Sequence, residues 1–198
     1  MKTQKLIPIL DNGHGVDTLG KRTPEHLGIP IIREWDFNRD IVDRISKLCS
    51  LEGITHKCLV PEFADISRQT RCDRANLYNA QHRRRCFLLS IHANAGGGTG
   101  WECFTTKGET ESDRIASILV EEFKKEFGHE FPLRADYSDG DPDKEDQFYI
   151  LKHTTCPAVL TENFFMDNAK DVALMITEKG KDRIAKFHFE AIKRIIYE

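Results

Sequence analysis

Short apolar runs alternate with longer amphipathic stretches along nearly the whole chain, and no other feature narrows the fold so far. The runs Lys5–Leu10, Thr55–Val60, Cys86–Ile91, Gly100–Thr105, Phe148–Lys152 and Ala158–Thr161 have the length of strands. Between them, Trp35–Leu51, Ser67–Ala80, Glu111–Phe127, Asn168–Ile176 and Glu178–Tyr197 have helical periodicity. Phe37, Ile41, Ile45 and Leu48 share one face of the first of these, as Ile184, Phe187, Ala191 and Ile195 do in the last. Strands separated by amphipathic helices build a layered α/β fold with a mainly parallel central sheet. Pro8 fits poorly in the first run, because proline cannot donate to a ladder and favours an edge. The stretch from Arg134 to Gln147, dense in aspartate around Gly140 and Pro142, reads as an exposed loop.

Size and charge then remove whole classes of function. A chain of 198 residues supports one domain with its own core, expected over 1–198 with no second domain. Its 29 basic and 32 acidic side chains leave a net charge of −3, which gives no warrant for nucleic acid. No apolar run approaches the roughly 20 residues of a membrane helix, so no membrane insertion is expected. Basic Met1–Lys5 is followed only by Leu6–Leu10 before Asp11, too short for a signal-peptide core. Six cysteines, at 49, 58, 72, 86, 103 and 156, include no Cys-x-x-Cys pair and are expected to be mostly buried and reduced.

Three of the apolar runs stop at polar residues able to bind metal. Leu6–Leu10 leads into Asp11-Asn12-Gly13-His14-Gly15, Cys86–Ile91 into His92-Ala93-Asn94, and Ala158–Thr161 into Glu162-Asn163. In a parallel sheet these would emerge together at the carboxyl edge, where open α/β folds place their sites. The glycines beside His14 allow a sharp turn and a close approach, and Gly96-Gly97-Gly98 keep bulk from the pocket mouth. Glu34, at the start of the first amphipathic helix, is a third candidate ligand. Two imidazoles and one carboxylate leave a zinc position open for water, the pattern of hydrolytic sites, and Glu162 is then placed to act as general base. Blander readings stand beside these: Glu34 complements the helix dipole, and Glu162 serves as a cap or ion-pair partner. His188 is expected to be a packed core histidine, Trp101 a core side chain rather than a sugar platform, and Arg83–Arg85 a solvated turn.

The blocks Asp11–Gly15, Glu34, Ser90–Ala95 and Pro157–Asn168, with Asp65-Ile66-Ser67, Arg71 and Ala75-Asn76 between them, resemble the zinc-dependent N-acetylmuramoyl-L-alanine amidases. The resemblance is to the amidase-3 type catalytic domain of cell-wall autolysins and phage endolysins, and it spans nearly the whole chain. It implies a single α/β domain with a mostly parallel, about six-stranded twisted sheet flanked by helices on both faces. It implies zinc held by His14, Glu34 and His92, with Glu162 catalytic, and a peptidoglycan or muropeptide substrate cut between the lactyl group and L-alanine. Asn12 and Asn94 are expected to orient ligands; Asn12 stands where proline is common and Val16 where another glycine often follows. Two other functions remain open at this point: a zinc peptidase on a non-wall peptide, and an inactive peptidoglycan-binding module. The implied place of action is the cell wall, so the unrecognised export signal fits cytoplasmic storage of an endolysin or a chain trimmed of its leader.

Overall fold

Five of the apolar runs become strands, and three of them extend into the polar residues that follow. The computed structural model describes residues 3–198. Strand β1 spans Ile7–Asn12, β2 Lys57–Cys58, β3 Cys86–Asn94, β4 Trp101–Thr105, β5 Lys144–Glu145 and β6 Ala158–Phe165. The helices are α1 (Glu34–Leu51), α2 (Arg68–Gln81), α3 (Glu111–Phe127), α4 (Tyr149–Lys152), α5 (Ala169–Met175) and α6 (Glu178–Tyr197), with a 3₁₀ turn at Glu25–Leu27. The six strands form one sheet in the order β2-β1-β3-β6-β4-β5. β2, β1, β3 and β6 run parallel, β4 is antiparallel to β6, and β5 is parallel to β4. The sheet is therefore mostly parallel, as expected, with a reversed pair at one edge.

Strand alternation sends successive side chains to two separate cores. Leu10, Leu89, Ile91 and Val159 pack under α1, α3 and α6. Ile7, Ile9, Leu88 and Leu160 face the opposite side, with Cys72 and Ala75 of α2 and Ile150 and Leu151 of α4. Trp101 is fully buried in the first core, stacked on Phe123 with ring centroids 5.0 Å apart. All six cysteines are free, and five of them are buried.

Two sequence expectations are corrected. Phe148–Lys152 forms the short helix α4 rather than a strand. The open edge of β4 is already taken by β5, and a five-residue apolar run is too short to reveal its period. β5 in turn lies inside the acidic stretch read as loop, where Phe104 and Thr105 pair with Lys144 and Glu145. Pro8 lies inside the sheet, not at its edge, yet it breaks no hydrogen bond. Ile7 donates to Arg85 O on the β3 side, so Pro8 turns the other way, where β2 pairs only from Ile9 onward.

Among the described residues no helix is long and apolar enough to cross a membrane. His188 is a core histidine: it is fully buried, donates from Nδ1 to Ile184 O (2.8 Å), and faces the Thr161 hydroxyl (3.3 Å). Burial lowers its pKa from 6.5 to about 4. The unfolded chain therefore binds a proton near pH 6.5 that the folded chain refuses until about pH 4, and stability falls as pH drops through that window. Urea unfolding at pH 7 and pH 4.5 should differ by up to about 3 kcal/mol on this account, and His188→Phe should remove most of that difference.

Candidate active site

The loop after β1 carries His14, and the structure assigns its strain to the histidine, not to its glycines. His14 has φ 68°, in the left-handed region that costs a non-glycine residue about 1 kcal/mol or more. Gly13 and Gly15 are needed for space instead. A Cβ on Gly13 would lie 2.1 Å from His92 Cε1, and one on Gly15 would lie 2.1 Å from Asp65 N. Arg71, buried in α2, holds the loop in place. It donates to Asp11 Oδ1 (2.6 Å), to the carbonyls of Asn12 (2.7 Å) and His14 (3.1 Å), to Asp65 Oδ1 (3.2 Å) and to Ile66 O (2.8 Å). Asn38 of α1 donates to Gly13 O (3.1 Å), and Ser90 of β3 donates to Asp11 Oδ2 (2.6 Å).

Glu34 opens α1 and is buried under this loop, 2% exposed. Its Oε1 lies 3.3 Å from His14 Nε2 and 3.0 Å from His92 Nδ1, and accepts from Ala93 N at 3.3 Å. Its Oε2 is buried with no hydrogen-bond partner, and the Lys21 ammonium is 3.9 Å away. Burial alone would raise this carboxyl, but the bonds to His14 and then His92 outweigh it and hold it far below the carboxylate range. His14 Nε2, His92 Nδ1 and Glu34 offer ligand atoms that all lie within 4.8 Å of one another, and the two rings meet edge to face at 5.1 Å. Two imidazole nitrogens, one carboxylate oxygen and an orphaned buried oxygen beside them suit a zinc-type ion with an open position.

Glu162 stands next to this cluster because β3 and β6 are in register, His92 opposite Glu162. The ladder is irregular just beyond, between His92 and Asn94, where Phe164 takes φ 69°. Burial, and after it the charge of Glu34, push the Glu162 carboxyl well above its ordinary value, with Lys21 opposing. Its Oε2 also lacks a partner. A cleft of about 580 Å³ opens over His14, His92 and Glu162, lined also by the adjoining segments Ile66–Arg68 and Phe148–Ile150. The Arg68 guanidinium lies over the Tyr149 ring at 5.5 Å.

Not every expected residue joins the site. The Asn12 amide lies between Val60 O and Arg39 Nη2, both at 3.1 Å, and its hydrogen bonds are satisfied with the nitrogen toward Val60 and the oxygen toward Arg39, away from the ligands. β1 is still a strand at Asn12, so its side chain shares the face of Leu10 and meets Arg39 of α1. Asn94 donates to Glu102, which lies opposite Glu162 across β4, so it touches no candidate ligand. The glycines after His92 do not line the cleft; Gly96 and Gly97 donate to Asp167 Oδ2 (2.7 and 2.8 Å) and make a turn. Asn38, and Asn163, which donates to His92 O (3.0 Å), were not anticipated. Neither is marked in the sequence by anything more than a polar residue in an apolar pattern, on a helix face in one case and at a strand end in the other. Trp101 donates to Asn163 Oδ1 (3.0 Å), which fixes that amide.

An α/β fold with a His-Glu-His cluster and an added carboxylate at the carboxyl edge of its sheet defines a hydrolase-type site. The comparisons make the class specific. Residues 9–194 match the family model Amidase_3, N-acetylmuramoyl-L-alanine amidase, and the chain belongs to that family. It is 32% identical over 130 residues to the N-acetylmuramoyl-L-alanine amidase CwlM of Bacillus licheniformis, covering 65% of this chain and 46% of that protein. It is 27% identical over 198 residues to the Endolysin of Bacillus phage SPP1, covering 94% of this chain and 65% of that one. This chain thus spans about half the length of the Bacillus amidases it matches. Its fold is that of the N-acetylmuramoyl-L-alanine amidase from Clostridium difficile 630, with a TM-score of 0.81, 22% identity and 97% of each chain covered.

Two substitutions test how this site is built. Gly13→Ala should displace the His92 ring while the fold persists, and a divalent metal held by this cluster would bind about 10–100-fold more weakly in a competition titration. Arg71→Met leaves Asp11 charged and buried without its partner, and should cost about 3–5 kcal/mol in urea unfolding.

Proposed function

We propose that this chain hydrolyses the amide joining the lactyl group of N-acetylmuramic acid to L-alanine in peptidoglycan. The observation that carries this reading is the convergence of His14 Nε2 and His92 Nδ1 on one buried Glu34 oxygen beneath an open cleft, with Glu162 beside them. Family membership and the names of the relatives support the choice of substrate. In this reading His14, Glu34 and His92 hold a zinc ion. Zinc bound there would polarise the scissile carbonyl and acidify a water molecule.

The rest of the reaction falls to the chain's own groups. Burial and then the neighbouring Glu34 charge raise the Glu162 carboxyl well above its ordinary value, which favours its holding a proton between steps. Glu162 accepts a proton from the attacking water as the new C–O bond forms. It delivers that proton to the alanine nitrogen as the C–N bond breaks, so water is consumed and a free amine and carboxylate leave. Arg71 and Asn38 keep His14 in its left-handed conformation throughout. The stem peptide then lies in the cleft lined by Ile66–Arg68 and Phe148–Ile150. The place of action is then the cell wall.

Mass analysis of digested peptidoglycan should show new L-alanine amino termini and no new reducing sugars; new reducing ends would defeat the proposal. Simple peptides cleaved as readily as muropeptides would favour a general zinc peptidase. Glu162→Gln should keep its metal, measured by elemental analysis, and lose about 10²–10⁴-fold in kcat.

A further inference from the structure

The hydrolytic site makes no use of a second cluster of carboxylates, at the other end of β4. Asp113, in the first turn of α3, and Asp141 and Asp143, just before β5, bring ligand oxygens within 4.8 Å of one another. Asp113 and Asp143 are buried, and Asp143 is 2% exposed. β4 runs antiparallel to β6 with Phe104 opposite Leu160, so Thr105 lies toward the start of β6 while Glu162 lies toward its end. The two sites are distinct.

Ionised carboxylates only accept hydrogen bonds, and this cluster has too few donors. The Thr105 hydroxyl reaches both Asp143 Oδ2 (2.6 Å) and Asp113 Oδ1 (3.0 Å), but it has one proton for the two. Asp113 Oδ2 accepts from Thr110 N in the capping box of α3, and Asp141 Oδ1 accepts from Asp143 N (3.3 Å). Asp143 Oδ1 is buried with no partner at all. Among the described residues, no lysine or arginine pairs with any of the three. The adjacent cation, Lys144, is spent on Glu102. Burial, and then the neighbouring Asp141 carboxylate, push the Asp143 carboxyl up to about 7.

We propose that Asp113, Asp141 and Asp143, with the Thr105 hydroxyl, bind a hard divalent cation, Ca²⁺ in the first instance. Every donor is oxygen, which suits Ca²⁺ or Mg²⁺, whereas the imidazole-containing cluster at His14 and His92 suits zinc. The irregular geometry of a loop-borne donor set favours Ca²⁺ over Mg²⁺, which demands a near-ideal octahedron. An ion here joins three pieces of chain: the end of β4, the start of α3 and the acidic segment before β5. It would fasten β5 to the sheet edge and hold Lys144 at Glu102, the residue opposite Glu162.

The test uses the full chain, zinc-loaded, in metal-depleted buffer at pH 7.5, titrated with Ca²⁺ or Mg²⁺. Equilibrium dialysis should find one Ca²⁺ per chain beyond the zinc. Saturating Ca²⁺ should raise the melting temperature by about 5 °C or more. Asp143→Asn and Asp141→Asn should each abolish both effects, while Asp136→Asn, in the same acidic stretch but outside the cluster, should keep them. If Asp143→Asn does not fold, the half-exposed Asp141 carries the comparison. No bound Ca²⁺ or Mg²⁺ at millimolar concentration, with no thermal shift, would overturn the proposal. So would a stability that rises as pH falls from 8 to 6 and ignores both cations, because the cluster would then be holding a shared proton. Both readouts are independent of hydrolysis, so an inactive protein would still give an answer.

Discussion

The guanidinium of Arg71 is buried between α2 and the end of β1, and it bonds at once to a carboxylate in the strand, two loop carbonyls and the segment that leads into its own helix. Arginine suits this because its donors are fixed in a plane and stay charged, so one side chain can set several acceptors relative to one another. Without that charge, Asp11 would be an uncompensated buried anion and the His14 loop would lose its anchor. The left-handed backbone of His14 is strained, and strain persists only where the surroundings over-determine it. Arg71, Asn38 and the packing of Gly13 against His92 supply that determination.

Two glutamates a short distance apart are driven in opposite directions. Glu34 is surrounded by imidazoles and by the amide of Ala93, at the positive end of a helix, and stays ionised despite its burial. Glu162 has no such partners and faces the charge of Glu34, so its carboxyl rises. One environment suits holding a cation and the other suits moving a proton. The difference arises from register: β3 and β6 place His92 and Glu162 opposite each other, while α1 brings Glu34 up from beneath the loop. The acidic cluster beside α3 has the reverse problem, an excess of acceptors with no imidazole or guanidinium to answer it.

Much of this was legible in the chain. The helices α1, α3 and α6 fall where amphipathic periodicity puts them, because each has three or more turns over which a period of 3.6 can show. The apolar strands and their polar ends were likewise visible, and with them His14, His92 and Glu162. Short elements were not. α4 holds barely one turn, too short to show a period, and β5 is two charged residues in an acidic stretch with no apolar pattern to mark a strand. Asn12 meets Val60 and Arg39 rather than a candidate ligand, a tertiary pairing that no local pattern records.

The sequence by itself determined the layered α/β class, the two-sided burial of the sheet and the set of residues able to meet at its carboxyl edge. Those follow from periodicity and from where apolar runs end, which are local properties. Only the tertiary structure decided which polar atoms meet: that Glu34 sits under both histidines, that Arg71 anchors the loop, and that Asp113 joins Asp141 and Asp143. Hydrogen bonds and ion pairs act over about 3 Å between residues far apart in the chain, and no local pattern records them.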